Sequence, residues 1–99
     1  MEILPKTAEP YRTIGPFDQD TIPKGLFREH NTKRGVWGLL TVESGSVRYV
    51  VTETEHAASY VLDETCAGVI VPEQKHHLEI LGDVRFQITF YREPDPIRS

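Results

Sequence analysis

No stretch of the 99-residue chain carries a sustained apolar period of 3.6. Short β-rich runs are instead punctuated by Gly, Pro, Asn and Asp at spacings of roughly 8 to 12 residues. This pattern argues against a helical core and predicts an all-β fold of about seven or eight short strands. The strongest run is Val36 to Glu53, where two β-rich segments flank Ser44-Gly45 and read as a hairpin. Val47, Tyr49 and Val51 then share one face of its return strand.

The remaining elements follow from the same signals. Pro5, Pro10 and Pro16 interrupt residues 1–16, so this segment is expected to be an irregular arm with only Tyr11 to Ile14 extended. Gly25 to His30 reads as a short strand with Leu26, Arg28 and His30 on one face, followed by the turn-rich loop Asn31 to Gly35. Thr54 to Ala58, with His56, is a polar connection, Ser59 to Asp63 a strand, and Glu64 to Gly68 a turn. Val69 to Val71 reads as a buried strand leading to a turn opened by Pro72 that carries Glu73, Gln74 and Lys75. A strand from His76 to Leu81 closes at Gly82-Asp83, and Val84 to Tyr91 places Phe86, Ile88 and Phe90 on one face. The tail from Arg92, with Pro94 and Pro96, is expected to fray. The organisation is thus an arm (1–16), a single small β-barrel domain (17–91) and a tail (92–99), with a jelly roll as the closed form that leaves no long exposed edge.

A chain of this length forms one domain with a real core. Its formal charge of -4, from 11 basic and 15 acidic residues, is not gathered into blocks, which argues against nucleic acid and anionic membranes as partners. A basic leader is not apparent, and no run approaches the roughly 18 apolar residues of a membrane span. Cys66, alone, has no internal disulfide partner, and a cytoplasmic location is expected. It reads as a small apolar residue beside a turn, and without a G-x-S-x-G motif nucleophilic catalysis has little support.

Chemistry concentrates where the strand after Pro72 begins. His76, His77 and Glu79 put two imidazoles and a carboxylate within four residues, a combination suited to metal ligation or acid-base work. Strict alternation aims His76 inward with Leu78 and Ile80, and His77 outward with Glu79. A bulge would be needed to bring His76 and Glu79 to one centre. A hydrogen-bonded histidine without metal is the structural alternative for His76, and an exposed strand residue for His77.

The glycine-turn hairpin Val42 to Tyr49 and the segment Gly68-Val-Ile-Val-Pro-Glu-Gln-Lys-His76 resemble the cupin superfamily. More narrowly, Thr21 to Gly38 together with Pro72-Glu-Gln-Lys-His-His-Leu-Glu79 resembles the family formed by the N-terminal domain of the tellurite-resistance protein TehB and the small YeaR-like proteins. The resemblance implies a cupin-like barrel and an association with tellurite or nitrogen-oxide stress, without a known reaction. Carried over by position, His30 matches the first histidine of the first cupin motif and His76 the histidine of the second. Thr32 and Gly38 stand where that first motif would offer a further histidine and a glutamate. The implied metal ligands are His30, His76 and Glu79, ahead of His77 and Glu73, for a divalent zinc, iron or nickel ion.

Two functional classes follow. One is a metal-binding domain acting on a small molecule or oxyanion, which Lys33-Arg34 could help attract. The other is a non-catalytic module for homodimerisation or docking. A homodimer is expected on either reading, and no catalysed reaction is assigned.

Overall fold

The computed structural model describes residues 1–53, 55 and 57–93. Five strands form one antiparallel sheet: β1 (Glu9–Asp18), β2 (Val36–Val51), β3 (Ala58–Asp63), β4 (Gly68–Ile70) and β5 (His76–Arg92). Their order is β1-β5-β2-β3, with β4 paired to β2. The all-β expectation holds. The sheet is nevertheless open: β1 and β3 end its path, and no pairing joins them into a closed barrel among the described residues.

Two long strands account for most of the shortfall in strand number. The segments expected to make a hairpin about Ser44-Gly45 are one strand, and so are those on either side of Gly82-Asp83. β2 and β5 pair from Val36↔Arg92 to Val51↔His76, with register shifts between Val42 and Ser44 and between Gly45 and Val47. Both glycines have positive φ, +76° at Gly45 and +144° at Gly82, and here they serve a bulge rather than a turn. A Cβ on Gly45 would run into the Asp83 carbonyl, so this backbone approach requires glycine.

The bulge also moves the apolar face of β2. Leu40 and Val42 are buried before it, and Val47, Tyr49 and Val51 after it, so the inward residues change from even to odd positions. On β5 the buried residues His76, Leu78, Val84, Phe86 and Ile88 keep one parity throughout. Before its bulge β2 lies between β5 and β4; after it, between β5 and β3. All these inward side chains, with Ile22, Leu62 and Ile70, form one core. The curl that gathers them is tight at Gly68, where Leu62 of β3 packs into the space a side chain would need.

Two other expectations change. Residues from Glu9 onward are not an irregular arm but the edge strand β1, paired to β5 with bulges that accommodate Pro10 and Pro16. Gly25 to His30 is not a strand: Lys24–Phe27 forms a single 3-10 turn, since Pro23 leads into it and Leu26 N–H closes on the Pro23 carbonyl at 3.0 Å. Leu26 still packs on the core. No helix among the described residues is long and apolar enough to cross a membrane. The polar connection at His56 and the tail beyond Glu93 lie outside the described residues.

Candidate functional site

His76 opens β5, and the chain just after the 3-10 turn runs beside it. His30 and His76 form an isolated antiparallel bridge, each N–H donating to the other's carbonyl at 2.9 Å. One step outward, Glu73 N–H donates to the Thr32 carbonyl at 3.0 Å. On its other side His76 pairs with Val51 of β2. The histidine backbone is therefore held on both edges, and directly paired residues share a face of the sheet. Their rings meet edge to face, with centroids 4.2 Å apart and planes inclined by 67°.

Each ring is oriented by a carbonyl two residues upstream. Nδ1 of His30 lies 2.7 Å from the Arg28 carbonyl, and Nδ1 of His76 lies 2.8 Å from the Gln74 carbonyl. A carbonyl only accepts, so both Nδ1 atoms carry the proton as donors, and in the neutral rings both Nε2 atoms keep a lone pair. His76 is 1% exposed. Burial pushes its pKa down to about 4; the Gln74 carbonyl opposes the shift, and charge on His30 or His77 would add to it. The ring is thus neutral at physiological pH, the form in which imidazole acts as base or ligand.

Tyr49 completes the inner cluster, its ring 5.2 Å from that of His76. It is fully buried, and its hydroxyl has no hydrogen-bond partner among the described residues. Desolvation raises the phenol's pKa far above its ordinary value, so it remains protonated. Sequence reading placed Tyr49 with Val47 and Val51 on one face of the strand, as a core or interface residue rather than one that stacks on a ligand. The available signal was a tyrosine between Val47 and Val51, because a hydroxyl on a core face needs a partner.

The other candidates lie elsewhere. Glu79 is not brought to the two imidazoles: it sits on the outward face, where its carboxylate accepts from His77 Nε2 at 3.1 Å and pairs with Arg48 at 3.4 Å. Strand alternation prevails because the bulge of β5 comes later, at Gly82-Asp83, and leaves His76 to Leu81 regular. Glu73 is exposed on the turn after Pro72, and Lys33 and Arg34 are exposed on their loop. Among the described residues no three His, Cys, Asp or Glu side chains converge. Cys66 is exposed in the turn after β3, and Trp37 is half-buried with Nε1–H donating to Glu93.

Residues 12–88 match the TehB-like domain family. The chain belongs to that family. YeaR of Escherichia coli (strain K12) is 32% identical over 87 residues, spanning 80% of this chain and 73% of YeaR. The probable S-adenosyl-L-methionine-dependent methyltransferase TehB of Haemophilus influenzae (strain 10810) is 32% identical over 76 residues, which are 74% of this chain but 27% of TehB. A crystal structure of a protein from E. coli K12 superposes with a TM-score of 0.84 at 28% identity, covering 96% of this chain and all of the other. The crystal structure of H. influenzae TehB gives 0.81 at 24% identity, covering 89% of this chain and 32% of TehB, a likeness of fold alone.

Proposed function

We propose that this TehB-like chain is a small cupin-like domain in which His30 and His76 hold a divalent transition metal, zinc, iron or nickel. The observation that carries the reading is the pair of Nδ1–H to carbonyl bonds at 2.7 and 2.8 Å, which orient both rings and leave both Nε2 lone pairs for a ligand. A ligating histidine ordinarily has its other ring nitrogen held in this way. Two imidazoles make half of a four-coordinate set, so the remaining positions would go to water or to a small exchangeable ligand. When bound, the metal would supply Lewis acidity or redox chemistry and would balance the charge of an oxyanion. The family's association with tellurite or nitrogen-oxide stress makes a small oxyanion the candidate ligand. His30 and His76 orient the site, and the buried surroundings of His76 keep that ring unprotonated.

The test is elemental analysis of protein purified without an affinity tag, together with thermal unfolding with and without chelator. The expected result is about one equivalent of transition metal, lost in His76→Ala, with a midpoint lowered by chelator in the parent alone. A site filled at a hundredfold excess over Kd adds about 2.7 kcal/mol. A parent free of metal and indifferent to chelator would favour instead a non-catalytic module for dimerisation or docking, the reading that the open edges β1 and β3 support.

A further inference from the structure

Glu29 stands one residue before His30 and Thr52 one residue after Val51, so the two flank the paired row Val51-His76-His30 from opposite edges of β5. The backbone of Thr52 is fixed to β5, its N–H donating to the Lys75 carbonyl at 3.0 Å. Its hydroxyl donates to Glu29 Oε2 at 2.6 Å. As neighbours of inward-facing residues, both side chains emerge on the outer face of the sheet. The bond between them therefore spans β5 on the face opposite the His76 ring.

This clasp meets the chain where it has least support. Residues 28–32 form no strand, and His30 pairs with β5 through an isolated bridge. Downstream of His30, Thr32 Oγ donates to the Val36 carbonyl at 2.7 Å and Asn31 Nδ2 to the Glu73 carbonyl at 3.4 Å. Upstream, between the 3-10 turn and His30, the side-chain hydrogen bond to the sheet among the described residues is that of Glu29. Its acceptor is a carboxylate, which places it in the stronger, charge-assisted class. A segment held by so few backbone bonds opens locally at low cost, and each opening parts rings whose centroids lie 4.2 Å apart. We infer that Glu29 is a positioning residue for the imidazole pair: held by Thr52, it sets His30 against His76 and so fixes how far apart the two Nε2 atoms stand. The inference deepens the metal reading and rests on it for its zinc arm alone.

Glu29→Ala and Thr52→Val remove the clasp, whereas Glu29→Gln keeps an oxygen acceptor for the Thr52 hydroxyl. In chelator-treated protein, the first two variants should exchange the His30 amide about tenfold or more faster than the parent and weaken the nuclear Overhauser contact between the two rings. The amides of Phe86 and Ile88 should exchange as in the parent. Zinc should bind Glu29→Ala and Thr52→Val about tenfold or more weakly, as when a partner that orients a ligating group is lost. Glu29→Gln should stay within about threefold of the parent in both measurements. Unchanged His30 exchange, ring contact or zinc affinity in Glu29→Ala or Thr52→Val would overturn the inference. So would Glu29→Gln behaving as Glu29→Ala, or faster exchange spread through the whole sheet. A parent that binds no zinc would remove the metal reading and leave exchange and ring contact to decide the clasp.

Discussion

His76 is a buried imidazole, between His30 and Val51 in the sheet and beside the Tyr49 ring. The folded chain holds its pKa near 4 against the ordinary 6.5, so between these values the unfolded chain binds more protons. Stability is therefore at its full value above about pH 6.5 and falls as the pH is lowered towards 4, by roughly 3 kcal/mol in all. Urea unfolding of chelator-treated protein at pH 7.5 and 4.5 should show this loss in the parent and a smaller one in His76→Gln; equal losses would contradict it. Glu79 makes the complementary case. With its carboxylate on Arg48 and His77 at the surface, Glu79→Gln should change stability by less than about 1 kcal/mol and leave metal content intact, whereas His30→Ala should remove the metal. Elemental analysis of the two variants decides the point. The inward and outward faces of His76 to Glu79 were legible in the sequence because a regular strand alternates strictly. The nearness of His30 entered through family resemblance, since alternation cannot say which distant segment pairs with a strand. That alternation also showed Tyr49 sharing a face with Val47 and Val51, but not that its hydroxyl finds no partner among the described residues, because partner atoms depend on packing.

At the scale of elements, the informative misreading concerns Gly45 and Gly82. Glycine with positive φ serves a hairpin turn and a β-bulge alike, and local composition does not distinguish them. What distinguishes them here is that the two bends oppose one another: Ser44 faces Arg85 and Gly45 faces Val84, so β2 and β5 bend together and remain paired. Gly45→Ala should destabilise the fold by about 2 kcal/mol or more, as the Cβ would meet the Asp83 carbonyl from a strained backbone. Equilibrium denaturation measures this, and a change below about 0.5 kcal/mol would mean that the bend does not need glycine. The core faces were read correctly despite the wrong turns, with Val47, Tyr49 and Val51 inward on β2 and Phe86 and Ile88 inward on β5. Face depends on local alternation, whereas continuity through a bulge depends on the partner strand. The segment around Lys24–Phe27 failed for the opposite reason, being too short for periodicity to separate a strand from a 3-10 turn.

For the whole molecule, the open sheet sets the terms. An exposed edge invites pairing, and a two-fold dimer is the commonest way to cover one. β3 is such an edge and carries Val61 exposed at 49%, so a homodimer at micromolar concentration is the expected state. Light scattering checks it: Val61→Lys should shift the parent's dimer mass towards monomer, and a parent of monomer mass would remove the expectation. The sequence indicated an all-β single domain but not its openness, because closure depends on whether the outermost strands meet, a long-range property that strand count does not report.

The tautomers of His30 and His76 test the metal reading most directly. Long-range proton-nitrogen correlation spectra at neutral pH should show both rings protonated at Nδ1 and bare at Nε2, as the Arg28 and Gln74 carbonyls require. One equivalent of zinc should then move both Nε2 resonances together. An Nε2–H tautomer in either ring, or Nε2 signals that zinc leaves unmoved, would contradict the two-imidazole centre.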